Sequence, residues 1–255
     1  MKTVRRRRLL LGAVALSAVL AGGAGLRAWW APPPSRPVTQ EEAARLALSR
    51  LTTFEASPVA VELAVPGAGA VTRVHGVVDF RQRRAVGRYE SGEGGGLVAW
   101  DAAGLGVAPD EGRAPSADSL TVTTGRMPPP AWSPRAYTTD PFDLALRVTM
   151  ALAADRPDNA QLLAQSGARW LREETVDGRP YSVFAGPLPR GSEPGSAHLT
   201  YWVDGDGLLR RVRVEVPGLA QPLTLDLTAR QVAEQVPGTP WAQSPAGPSG
   251  PAGRG

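Results

Sequence analysis

Cysteine is absent from this chain of 255 residues. That excludes disulfide staples, thiolate metal sites, a cysteine nucleophile and a lipid tether attached through cysteine. Histidine occurs only at positions 75 and 198, so neither a His-Glu-x-x-His motif nor a histidine cluster can be assembled. No Gly-x-Ser-x-Gly elbow and no dinucleotide or phosphate loop is present. Acidic residues are missing from the first 30 positions, which hold six of the 28 basic ones; the remainder carries 22 basic against 24 acidic residues. The basic pI of about 10.1 therefore belongs to the N-terminal segment. Nucleic-acid binding loses its electrostatic support.

That N-terminal segment is Arg5-Arg6-Arg7-Arg8 followed by the uncharged run 9–26, whose one polar member is Ser17. Eighteen helical residues span roughly 27 Å, close to a bilayer core of about 30 Å. Arg27 and Trp29-Trp30 suit the headgroup layer, and the arginine run places the N-terminus in the cytoplasm. Everything after residue 30 is then exported. Small residues at Ala21-Gly22-Gly23-Ala24-Gly25 also suit a signal-peptidase site. Two localisations follow: a single-pass membrane protein with its domain on the extracytoplasmic side, or a domain secreted after cleavage.

Proline at 32, 33, 34 and 37 makes residues 31–38 a semi-rigid spacer. Ten of the 19 residues in 237–255 are Pro or Gly, too little apolar material to fold. The folded domain is accordingly expected over 39–236.

Within it, Thr39-Gln40-Glu41-Glu42 reads as a capping box that starts a helix, with Ala43, Leu46, Ala47, Leu51 and Phe54 on its apolar face and Ser49 elsewhere. Period-two alternation marks strands over 59–65, 73–80, 85–90 and 97–100, with residues 92–96 as a flexible glycine hairpin loop. Residues 109–139 read as a long Pro- and Gly-punctuated connection, a candidate mobile flap. Asp140-Pro141 begins a second helix, apolar nearly all round over 142–154, and a third runs over 159–166 with Gly167 beyond its end. Strands return over 168–176, 181–185, 198–203, 208–216 and 223–229. The order implies an α+β fold, an antiparallel sheet with its helices segregated to one face.

Catalytic chemistry finds no residues to carry it. Glu173 and Glu174 are adjacent on a strand and point to opposite faces, so they cannot flank one substrate bond. Asp204-Gly205-Asp206-Gly207 opens like a calcium loop but lacks the third acidic ligand and the closing glutamate. The expectation is a non-enzymatic chain with no metal and no cofactor. What remains is an apolar stripe of Val59, Val61, Leu63, Val74, Val78 and Phe80 facing Phe142, Leu146 and Met150 of the second helix. These nine are the candidate ligand-binding residues. Gly76, Ala85, Gly87 and Ala99 are small enough to leave a gap above that stripe, and Arg211, Arg213 and Arg73 on the wet face could meet acidic headgroups.

The segment from Tyr201 to Val212 (Tyr-Trp-Val-Asp-Gly-Asp-Gly-Leu-Leu-Arg-Arg-Val) resembles a strand pair of exported lipoprotein carriers of the LolA and LppX/LprG type. Asp155-Arg156-Pro157-Asp158-Asn159-Ala160-Gln161-Leu162-Leu163 is similar to a segment of actinobacterial LolA-like proteins. The resemblance implies a curved antiparallel half-barrel wrapped around a few helices, preceded by the transmembrane or signal helix. It implies an apolar or lipidic ligand bound at the membrane surface. The chain departs from LppX-type carriers in having no anchoring cysteine, and from soluble LolA in its N-terminal span, which favours binding in place over shuttling. The alternative is an envelope interaction or sensor module like RseB/MucB, with an envelope protein as partner.

Overall fold

The computed structural model describes residues 35–67, 69–110, 120–187, 199–228 and 235–238. The span 9–26, the first half of the Pro-rich spacer, His198 and the tail beyond Gly238 lie outside the described residues. Among the described residues no helix is long and apolar enough to cross a membrane.

Twelve strands build one antiparallel sheet. In chain order they are β1 (Arg36–Pro37), β2 (Val59–Pro66), β3 (Val71–Asp79), β4 (Arg84–Ser91), β5 (Gly94–Asp101), β6 (Gly104–Pro109), β7 (Ser133–Ala136), β8 (Arg169–Val176), β9 (Arg179–Ala185), β10 (Leu199–Val203), β11 (Leu209–Val214) and β12 (Leu223–Thr228). Their spatial order is β1-β8-β9-β10-β11-β12-β2-β3-β4-β5-β6-β7. Two meanders are thus sewn together where the last strand pairs with β2, Leu225 opposite Leu63. The sheet is open, with β1 and β7 at its edges. Pro134 blunts the β7 edge, because proline has no N–H to offer a further strand.

The helices are α1 (Gln40–Glu55), α2 (Leu120–Arg126), α3 (Pro141–Met150) and α4 (Ala160–Gln165). The capping box at Thr39 forms as expected: Glu42 N–H donates to Thr39 Oγ1, and Thr39 N–H donates to the Glu42 carboxylate. Asp140 caps α3 with Pro141 in its first turn, and Asn159 caps α4. On α1 the buried face is Ala43, Leu46, Ala47, Ser49 and Thr53, while Leu51 and Phe54 are only half-buried. Ser49 and Thr53 tolerate burial because their hydroxyls donate to the carbonyls of Leu46 and Ser49 one turn back.

Three expectations are corrected. The glycines at 94, 95 and 96 do not form a loop; they extend β5, leaving Gly92-Glu93 as the turn. The connection over 109–139 is largely structured where it is described: it holds α2, a short 3₁₀ turn at Pro129–Ala131 and β7. β6 also precedes it, unmarked by any alternation of polar and apolar residues. Finally, the helices do not share one face. The inner face of the sheet packs on α1 and α3 through a core that includes Leu46, Leu63, Val74, Trp100, Leu146 and Leu223. The outer face has its own cluster of Val77, Val86, Leu97, Ala99 and Ala108, covered by Leu120, Met127, Trp132 and Val236. Ala99, expected on the inner face, pairs with Val86 on the outer one.

Helix α3 has a wet face after all, with Arg147 exposed on it. Its Asp143 is fully buried, against every expectation for an acid in an apolar helix. The carboxylate accepts from Arg135 Nη1 and Nη2, at 2.5 and 2.7 Å, and from the N–H and hydroxyl of Thr138, both at 2.7 Å. Edge strand β7 is thereby bolted to the start of α3.

A candidate cavity at the end of the sheet

The nine candidate residues do come together. Val59, Val61, Leu63, Val74, Val78, Phe80 and Leu146 are buried in the inner core, with Phe142 and Met150 half-buried against it. The gap expected above Gly76 and Gly87 is filled, because the Trp100 indole lies over both. A Cβ built on Gly76 would stand 3.2 Å from it, and one on Gly87 would stand 3.3 Å from it. Glycine here makes room for an aromatic ring from the neighbouring strand. Along most of its length the stripe is core.

At one end, Phe80 and Met150 also line an open cavity of about 640 Å³. Three segments build it. The β3–β4 turn supplies Phe80, Arg81 and Arg83; the second half of α1 supplies Arg50 and Phe54; and the α3–α4 connection supplies Ala153, Ala154, Asp155, Arg156 and Asp158. Ala102, in the β5–β6 turn at the same end of the sheet, completes the wall.

Each segment is held by specific bonds. Asp79 accepts from Gln82 N–H at 3.0 Å and from the Ser57 hydroxyl, which itself accepts from Phe80 N–H at 2.7 Å. Arg81 donates to the Glu55 carbonyl at 2.6 Å, a cation satisfying the last turn of α1. Arg83 takes a left-handed backbone, φ 54°, which costs a side-chain-bearing residue about 1–2 kcal/mol and glycine nothing. The connection after α3 docks on α1 through its backbone, Ala154 N–H to Arg50 carbonyl and Asp158 N–H to Ala47 carbonyl.

Its lining mixes the apolar Phe54, Phe80, Met150 and Ala153 with four arginines and two aspartates, and is more polar than apolar. Arg50 pairs with Asp158 at 3.1 Å, and Arg156 lies 4.0 Å from Asp155. Arg83 has no partner among the described residues. A second open cavity of about 320 Å³ shares Arg50 and Asp158 with it and is lined besides by Leu46, Leu152, Leu163, Tyr201 and Leu209. Burial pushes the Tyr201 hydroxyl up to about 12, so it stays protonated there.

Two of the wet-face arginines stack on an aromatic ring, joined there by Arg172. Arg172, Arg211 and Arg213 lie over the buried Trp202 ring, 5.7, 6.0 and 5.1 Å from its centroid. Arg211 also forms a bidentate pair with Asp226, and that bond holds its guanidinium above the ordinary range. These arginines cover an apolar ring, a cation–π arrangement worth about 0.5–1 kcal/mol each at exposed sites. Arg73 stands on the same face three strands away, about 14 Å, and does not join them. His75 is exposed on that face as expected. Asp204 Oδ1 accepts from the N–H groups of Asp206 and Leu208, so it closes the hairpin turn. Among the described residues no group of three or more acidic or histidine side chains could hold a metal ion.

Sequence reasoning did not find Arg50, Arg81, Arg83 or Asp158. The available signals were a non-glycine turn of three charged or amide residues, Arg81-Gln82-Arg83, and the Asp155–Asn159 run used only for its resemblance. Compared with known proteins, the sequence matches no family model and no curated protein. It is similar in structure to a DUF1329 family protein from Desulfovibrio piger, 11% identical, over 75% of this chain and 92% of that one, with a TM-score of 0.31. It is also similar to a putative outer membrane lipoprotein-sorting protein domain from Vibrio parahaemolyticus, 10% identical, over 74% and 92% of the two chains, with a TM-score of 0.27. Likenesses this faint place no site residue and carry no activity over to this chain.

Proposed function

We propose that the chain binds an apolar or lipidic ligand, without catalysing a reaction, at the extracytoplasmic surface of a membrane, with residues 9–26 as its anchor or its signal segment. The observation that carries this reading is the 640 Å³ cavity, in which Phe54, Phe80, Met150 and Ala153 form an apolar patch within a lining that is more polar than apolar. Its volume falls in the range of about 300–1,000 Å³ typical of ligand sites, and its apolar patch is joined by more charged groups than such sites usually carry. The charged side chains on its rim are arginines and aspartates, a set suited to holding a ligand rather than to transferring protons near neutral pH.

The test is lipid analysis of the full chain after gentle extraction. Co-purifying lipid is expected in the wild type, and at least several-fold less in Ala102→Trp, which fills the cavity from an exposed turn with the fold unchanged. Equal lipid in both chains would overturn the assignment to this cavity. The membrane tether has its own test: alkaline carbonate should leave the full-length chain with the membrane. A shortened form released into the medium would make it a secreted domain instead.

One observation favours the second reading, an envelope interaction or sensor module with a protein partner. Trp100 and the stripe residues other than Phe80 and Met150 pack as an ordinary core, leaving the length of the inner face without a groove for acyl chains. A lipid-free chain recovered with a stoichiometric envelope protein would support that reading over the first.

A further inference from the structure

The two cavities meet at one ion pair. Arg50 and Asp158 line both of them, and Arg50 Nη1 donates to Asp158 Oδ1 at 3.1 Å. Arg50 Nε is buried and meets no acceptor, a condition that buried donors seldom leave unresolved. On the mouth side Arg83 keeps an unpaired guanidinium at a backbone position that glycine would occupy without strain. Arg81 has its position fixed by the Glu55 carbonyl, and Arg156 only grazes Asp155. Four guanidinium groups thus face two carboxylates around the mouth. On the other side of the pair the lining is mainly apolar, with Leu46, Leu152, Leu163, Pro187, Tyr201 and Leu209 beside Ser49.

From this arrangement we infer that the ligand is a single-chain amphiphile with a phosphate head. The head sits among Arg83, Arg156 and Arg50, and the chain passes the Arg50–Asp158 pair into the second, more apolar cavity. Guanidinium forks match phosphate oxygens in both geometry and charge, and Arg50 Nε supplies a donor that has no other use. As the phosphate takes Arg50, Asp158 is released and the two cavities join. The inference rests on the proposed binding function and adds the chemistry of the head to it.

The full chain in phosphatidylcholine nanodiscs is titrated calorimetrically with hexyl phosphate, octyl phosphate, octanol and inorganic phosphate, with empty nanodiscs subtracted. Octyl phosphate is expected to bind at least tenfold more tightly than octanol or inorganic phosphate. It should also exceed hexyl phosphate by about fourfold per added methylene. Arg83→Gly should weaken octyl phosphate at least fivefold and leave octanol unchanged. Its melting temperature should hold or rise, because glycine relieves the left-handed turn. Equal affinity for octyl phosphate and octanol, or an Arg83→Gly chain that binds octyl phosphate normally, overturns the headgroup assignment and leaves apolar binding standing. Equal affinity for octyl and inorganic phosphate overturns it in favour of a free-phosphate site. Equal affinity for hexyl and octyl phosphate sinks the apolar-ligand reading itself.

Discussion

Arg135→Ala is expected to cost the domain about 3–5 kcal/mol at neutral pH, the usual result of stranding a buried charge by removing its partner. Asp143 is fully buried, and Arg135 supplies two of its four hydrogen bonds. Burial alone would raise the carboxyl; the guanidinium and the Thr138 N–H and hydroxyl overcome that and hold it below the ordinary 3.8. A carboxyl depressed on folding stabilises the protein above its unfolded value and loses that contribution as pH falls through the folded one. Without Arg135 the sign reverses. The buried carboxyl of the variant rises, so its folded state is penalised most at neutral pH and regains ground as acid protonates it. Urea midpoints at pH 7 and pH 4 should therefore show a deficit that narrows in acid. A deficit independent of pH would mean that Arg135 matters through packing of the β7 edge and not through the charge of Asp143.

Asp143 also illustrates what a sequence pattern conceals. In the sequence it is an acid in the first turn of a helix, a favourable place for a negative charge beside the helix dipole and an ordinary surface position. Its burial depends on Arg135 arriving along an edge strand, and that strand is itself hard to foresee in Ser133-Pro134-Arg135-Ala136. Alternation located the strands whose two faces differ in polarity, such as Val59 to Val65 and Leu223 to Thr228, to within a residue or two. It failed where both faces are alike. Gly94, Gly95 and Gly96 have no side chain to alternate, and Gly104-Leu105-Gly106-Val107-Ala108-Pro109 is small and apolar on both sides because β6 is covered on both. The pairing of β12 with β2, 160 or so positions apart, leaves no local trace at all.

The candidate site was legible in part for the same reason. The apolar stripe could be read and its nine residues do cluster, because burial of one strand face is a local property repeated every second residue. Where the stripe opens into a cavity could not be read. That depends on the α3–α4 connection docking on α1 through two backbone bonds, which are independent of side-chain identity. The arginines around the mouth are spread over positions 50, 81, 83 and 156 and converge only in the folded chain.

Trp100→Ala should be the most damaging single change on the inner face, costing about 3–5 kcal/mol as a large aromatic deleted from a closed core. For a domain of roughly 200 residues that corresponds to a fall of about 6–20 °C in melting temperature. The indole is fully buried and lies across Gly76 and Gly87, where neighbouring strands present no side chain of their own. Those glycines cannot relieve the loss by enlarging. A Cβ on Gly76 would stand 2.7 Å from the Val86 carbonyl oxygen, and one on Gly87 would stand 2.8 Å from Val74 Cγ1. The recess is fixed by backbone, so the space left by the indole stays largely empty and the cavity term is paid nearly in full. Trp100→Phe, which keeps a ring over the glycines, should lose less than half as much. Were this face an open groove with the tryptophan resting loosely at its rim, both variants would melt near the wild type. Chemical denaturation of the three chains therefore decides whether a ligand can use the length of the sheet or only the arginine-rimmed cavity at its end.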